Sequence, residues 1–143
     1  MNTKLSDSQT LVLLEVLRIL RDEKNITARK KIYELFMDKK LGTSSDKETR
    51  SFVEKLNGDF DEIGFLVKEF DIKDMLFALY SDTIRRVWIA LQNDIQREQN
   101  ERNKNDPTAK NFGYYFTQLA LEAKKYRDKN NLKEPGFTDL RHL

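Results

Sequence analysis

The sequence contains no cysteine, one histidine, two prolines and five glycines in 143 residues. Without cysteine, disulfides, thiol nucleophiles, iron–sulfur clusters and thiolate-bound zinc are excluded together. The single imidazole, His142, lies in an apparent tail, so a serine or threonine nucleophile has no base held beside it. So little glycine and proline also leaves no punctuation for a turn-rich β-sandwich. Long apolar runs are missing as well. The longest unbroken one, Met75 to Tyr80, falls far short of the ~18 residues a membrane-spanning helix needs. The segment after Met1 is broken by Glu15 and Arg18 before it can form the apolar stretch of a signal peptide. Cytoplasmic residence is the expectation. A charge of one sign is also lacking: 26 basic against 24 acidic side chains leave +2, which is no nucleic-acid signature.

What remains is 38% hydrophobic and 35% charged residues, the mixture of helices with charged outer faces. The length predicts one domain. A first helix, capped by Ser6 or Ser8, is expected to run to about Lys24. Its apolar residues Val12, Leu13, Leu14, Val16, Leu17, Ile19 and Leu20 sweep an arc of roughly 220°, about twice what one core contact requires. Leu13, Leu14, Leu17 and Leu20 suit the domain's own core. That leaves Val12, Val16 and Ile19 as a second stripe, either for a second copy of the chain or another protein, or, with equal weight, for the chain's own core, the helix being wedged between two others or covered by Phe137 and Leu140 of the tail.

A second helix is expected over Ala28 to Lys40, capped by Asn25 or Thr27 and stopped by Gly42. Ser45-Asp46-Lys47-Glu48 reads as a capping box. It opens a long helix with Phe52, Leu56, Phe60, Ile63, Val67 and Phe70 on one face, in which Gly58 and Gly64 imply close packing or a kink. Asp71 should cap a short fourth helix carrying the all-round apolar Met75 to Tyr80. Ser81 or Asp82 should start a fifth, with Ile84, Val87, Trp88, Leu91 and Ile95 inside and a solvated end at 96–105. Asp106-Pro107 should open a sixth through Phe112, Tyr115, Phe116, Leu119, Ala123 and Tyr126. The fold class expected is therefore an all-α antiparallel bundle of five or six helices over residues 5–130, with a carboxyl-terminal tail over 131–143.

Motifs for chemistry are scarce. Di-iron bundles need Glu-x-x-His pairs, which the sequence lacks, and no phosphate-binding glycine loop occurs. Asn57, Asp59 and Asp61 imitate the opening of a calcium loop, but Glu62 stands where glycine is required and Lys68 where the bidentate glutamate is required. They read as a solvated helix face, so no metal or cofactor is expected. The basic doublets, Arg85-Arg86 among them, read as salt-bridged surface, and Trp88 reads as core.

From Ala28 onward a family pattern comes into view. Ala28-Arg29-Lys30-Lys31-Ile32-Tyr33-Glu34-Leu35, Asp59-Phe60-Asp61-Glu62-Ile63-Gly64-Phe65-Leu66-Val67, Asp71-Ile72-Lys73-Asp74 and Tyr80-Ser81-Asp82-Thr83-Ile84, with Trp88, Leu91 and Ile95, resemble domain-of-unknown-function family 4760 over residues 28–126. The resemblance implies a small prokaryotic helical domain and carries no activity or catalytic residue. Many such proteins have an amino-terminal membrane anchor, for which Leu11 to Leu20 is too short and too charged. The function expected is a non-enzymatic interaction module, self-associating or binding a protein partner. The alternatives are a weak nucleic-acid binder using Arg85, Arg86, Arg97 and Arg102, and a small-molecule-binding bundle.

Overall fold

The computed structural model describes residues 4–42, 46–107 and 112–137. Among them are five helices, α1 (Asp7–Arg21), α2 (Glu23–Met37), α3 (Lys47–Glu69), α4 (Lys73–Asn105) and α5 (Tyr114–Lys129), and no strand. The protein is an all-α helical bundle. Helix α5 packs on α3 and α4, α2 packs on the same two, and α1 lies against α2 and α3.

Ser6 opens α1 with a reciprocal capping box: its hydroxyl accepts from the Gln9 amide at 3.1 Å while the Gln9 carboxamide accepts from the Ser6 amide at 2.9 Å. The helix ends earlier than its apolar pattern suggests. Asp22 adopts an extended backbone (φ −62°, ψ 134°), closing α1 and capping α2, with its carboxylate accepting from the Lys24 amide at 2.9 Å. Helix α2 therefore begins at Glu23 rather than Ala28, and Asn25 is a buried residue inside it, not its cap. It stops at Met37 because Lys39 takes a left-handed φ of 57° before Gly42 is reached. Asp46 caps α3 by accepting from the Glu48 amide at 3.0 Å; Ser45 lies outside the described residues.

The expected fourth and fifth helices are one, α4. Its N-cap is Ile72, with no side-chain cap, and the Asp71 carbonyl instead accepts from Gln9 at 3.0 Å. Ser81 does not restart the chain. It is buried within α4, where its hydroxyl accepts from Arg127 Nη1 at 3.0 Å. A serine that would otherwise favour a cap is held in mid-helix by that tertiary bond. Nor is Met75 to Tyr80 uniformly central: Leu76 and Phe77 are buried, whereas Met75 and Leu79 are exposed.

Pro107 does not open α5, which starts at Tyr114 after Gly113. Gly113 has φ 66°, and a Cβ there would stand 2.8 Å from Ile95 Cγ2. Glycine satisfies both restrictions. Lacking a side chain, it cannot cap the helix it precedes; Asp61 of α3 does so from outside, its Oδ1 accepting from the Phe116 amide at 3.0 Å. At the other end Asn131 takes φ 58°, and the amides of Asn131 and Leu132 donate to the carbonyls of Asp128 and Arg127 at 3.2 and 2.8 Å. This paired stop turns residues 131–137 back over the bundle.

At the centre Phe60 stacks on Phe116 with centroids 5.2 Å apart, and Trp88 meets Phe116 edge-on at 5.3 Å. Trp88 is thus a core residue. Gly64 brings α3 and α5 together at this level: a Cβ would fall 2.3 Å from the Tyr115 carbonyl oxygen, whereas one on Gly58 would meet nothing within 4 Å. The two glycines of one helix therefore differ in role, and should differ in response. Gly64→Ala should destabilise by about 1–3 kcal/mol, since only backbone movement relieves the overlap. Gly58→Ala should stabilise by about 1 kcal/mol. Urea unfolding of the two variants measures both signs.

Candidate functional site

Three sites deserve comparison in chemical terms: the outer face of α1, the buried arginines under the tail, and the polar residues of mid-α3. On α1, Val16 is 0% and Ile19 5% exposed, and Val12 is half-buried against the same core. The outward stripe expected at Val12, Val16 and Ile19 is thus turned inward. The reason is that α1 is covered from two directions, by α2 and α3, so a wide apolar arc is consumed within one chain. Phe137 is not part of that cover; it packs on Tyr33 and Phe36 of α2, at 5.7 and 4.8 Å between centroids. Leu140 lies outside the described residues, as does His142.

The apolar side chains that α1 does present outward are Leu11, 69% exposed, and Leu14, 56% exposed. At about 100° per residue, Asp7, Leu11, Leu14 and Arg18 share an arc of roughly 60°. An acid stands at one end of this face, a base at the other, and two leucines between. Glu15 pairs with Arg18 on the same helix. Two ties fix α1 beside α4, Gln9 to the Asp71 carbonyl and Arg21 Nε to the Tyr80 hydroxyl at 3.4 Å. Met75 and Leu79, on the stretch of chain between those ties, are exposed as well.

The arginines of the nucleic-acid reading are not brought together. Arg85 and Arg86 are each 7% exposed. Arg85 makes a forked pair with Glu134 (Nε to Oε1 2.9 Å, Nη2 to Oε2 2.6 Å) and donates from Nη1 to the Ala120 carbonyl at 3.1 Å. Arg86 Nε donates to the Gly136 carbonyl at 2.9 Å. The doublet anchors the tail rather than forming a solvated face, and this role was invisible while the tail's position was unknown. Arg97 and Arg102 stand further along α4, engaged by Asp94 and Glu98.

A third arginine, missed at the level of sequence because Lys30 and Lys31 follow it on an apparently charged segment, is buried deeper still. Arg29 is 1% exposed; Nε donates to Asn25 Oδ1 at 2.7 Å and Nη2 to the Leu20 carbonyl at 2.6 Å. One turn on, Tyr33 is fully buried, and the Arg86 guanidinium lies 5.9 Å from its ring centroid. Burial pushes the Tyr33 hydroxyl up to about 12, against the opposing pull of Arg29 and Arg86. Burial likewise lowers the Arg29 pKa.

The trio imitating a calcium loop is not a solvated face either. Asn57 is buried beside Gly113; Asp59 accepts from Asn25 Nδ2 at 2.9 Å and Lys55 Nζ at 3.2 Å; Asp61 caps α5. Their side chains serve three different neighbours. No cluster of potential metal ligands occurs among the described residues. The surface carries open clefts, such as one of about 500 Å³ bordered by Val67, Tyr115 and Glu122. Among the described residues, no helix is long and apolar enough to cross a membrane. No protein-family model, curated protein or solved structure matches the chain.

Two outcomes follow from these contacts. Asp61→Ala removes the only side-chain cap α5 has among the described residues, and should cost about 1 kcal/mol in urea unfolding, with Asp61→Asn retaining most of it. The second concerns acid. The Arg85 fork holds the Glu134 carboxyl below the usual carboxylate range. A folded-state pKa below the unfolded one gives stability that is complete above the unfolded value and lost as pH falls through the lowered one. Glu134 is partly exposed, so the energy is small. Protection of the Leu132 amide against hydrogen exchange, measured relative to an unfolded chain at the same pH, should fall below about pH 4 with helical circular dichroism unchanged, and Glu134→Gln should show part of that loss at neutral pH.

Proposed function

We propose that the chain is a non-enzymatic, cytoplasmic interaction module whose partner is a second copy of itself, docked through the outer face of α1. The observation that carries this reading is the order Asp7, Leu11, Leu14, Arg18 on that face, with both leucines more than half exposed. A two-fold axis between Leu11 and Leu14 sets two α1 helices antiparallel. Each Leu11 then faces the partner's Leu14, and each Asp7 faces the partner's Arg18. Such a face is complementary to itself, as a two-fold interface requires. The total area stays at the low end for a specific interface, so the dimer is weak and reversible. Kinship with domain-of-unknown-function family 4760 is also proposed, on the segments quoted above, and adds no activity.

Sedimentation tests the reading directly. The wild type should dimerise as concentration rises, and Leu11→Glu with Leu14→Glu should give a folded monomer, since neither side chain belongs to the core. Asp7→Arg should weaken association by about tenfold, a loss near 1.4 kcal/mol, and adding Arg18→Asp should restore it. A wild type that stays monomeric at its solubility limit, or a charge swap without rescue, sinks the proposal.

A further inference from the structure

The buried cluster of Arg29, Tyr33 and Arg86 is chemically one-sided. Among the described residues, Arg29 Nη1, Arg86 Nη1 and the Tyr33 hydroxyl are all buried and have no hydrogen-bond partner. The two nitrogens can only donate, and the Tyr33 oxygen, which both guanidinium groups attract, leaves its own proton without an acceptor. Two guanidinium charges are thus withdrawn from water, and neither arginine has a carboxylate partner among the described residues; Arg29 reaches the Leu20 carbonyl and the neutral amide of Asn25, which passes the contact on to Asp59. Burying a charge without an opposite one is among the largest penalties a fold can carry. Tyr33 cannot supply the missing charge, because its ionisation is displaced far above neutrality.

We propose that this cluster is a binding site for a compact monovalent anion of chloride size, held by Nη1 of Arg29, Nη1 of Arg86 and the Tyr33 hydroxyl. A water molecule is a poorer match. It brings no charge to set against two buried guanidinium groups, and its two protons find only the lone pairs of one hydroxyl oxygen. An anion accepts all three and neutralises part of the charge. The tail roofs the site: Gly136 is bonded to Arg86, and the Phe137 ring lies edge-on to Tyr33. A larger oxyanion such as phosphate would have to displace that roof. The site is independent of the α1 face, so its fate and that of the proposed dimer are separable.

The test uses the full chain, with chloride as the probe. At constant ionic strength, replacing gluconate by chloride over a hundredfold range of concentration should raise the melting temperature by several degrees, as expected for a ligand that binds only the folded state. Bromide should act like chloride, and phosphate should not. The ³⁵Cl resonance should broaden with wild-type protein, and Arg86→Met should abolish both responses. Should Arg86→Met fail to fold, Tyr33→Phe keeps the ring contact and removes one donor; it should reduce the broadening severalfold. Equal melting in chloride and gluconate would mean that water, or nothing, fills the cluster. A chloride response undiminished in Tyr33→Phe or in folded Arg86→Met would place the anion elsewhere, and a matching phosphate response would show a general salt effect. Each of these results overturns the proposal.

Discussion

The backbone of α5 rests directly on α3 at Gly64, and most of what distinguishes this bundle depends on that approach. No other residue could stand there, since the Tyr115 carbonyl occupies the place of a Cβ. The approach brings Phe60 against Phe116, and Trp88 meets the same ring in an edge-on contact. It also sets Asp61, three residues before Gly64, within reach of the Phe116 amide. A helix that begins with a left-handed glycine has no cap of its own. It is tolerable here because the neighbouring helix is close enough to provide one.

The position of α5 in turn decides where the tail goes. After the Asn131 stop, Arg127 grips the Lys133 carbonyl through Nε at 3.1 Å and Nη2 at 2.5 Å. Arg85 then takes Glu134, Arg86 takes Gly136, and Phe137 reaches the rings of α2. Three arginines from α4 and α5 are thus organised around seven residues with no regular structure. Irregular backbone leaves carbonyls without helical partners, and guanidinium groups, with several fixed donors each, suit that need better than ammonium groups do. One consequence is that α4 carries positive charge inward at Arg85 and Arg86, against the usual rule for a bundle helix. Only the first of these meets a carboxylate among the described residues.

Much of the fold was legible from spacing alone. The long α3 face through Phe60 and Ile63, the inner stripe of α4 and the core role of Trp88 follow from a 3.6-residue period that packing had no reason to override. Boundaries were less legible. Asp22 ends one helix and begins another within a single residue, where an apolar pattern gives no warning, and Ser81 passes through a helix because Arg127, far away in sequence, bonds its hydroxyl. Charged residues were least legible. Arg85 and Arg86 read as surface, and Arg29 drew no reading, because burying them depends on Asn25, on a carbonyl of Leu20 and on a tail without periodicity. Local composition holds no trace of such partners. On α1, Leu13 and Leu20 are buried as expected, but Val16 and Ile19 join them and Leu14 stays outside, for a related reason. Both stripes are apolar, and only the position of α2 and α3 selects Val16 and Ile19 for the interior and leaves Leu11 and Leu14 outside.

That selection has a consequence for assembly. Val16 and Leu20 are buried without help from a second chain, so the core closes within one protomer and folding does not wait for association. A dimer made through Leu11 and Leu14 adds to a finished structure instead of completing an unfinished one. In an obligate dimer, stability and concentration are inseparable, because the interface is part of the core. Here the same helix presents one apolar stripe to its own chain and a second, shorter one outward, with Asp7 and Arg18 at its two ends. The charged ends of this face disfavour a parallel arrangement of two copies, which would set like charges together. The proposed association through this face would therefore respond to protein concentration and, through contacts of Asp7 with Arg18 of the second copy, to salt, while the fold beneath it stays the same.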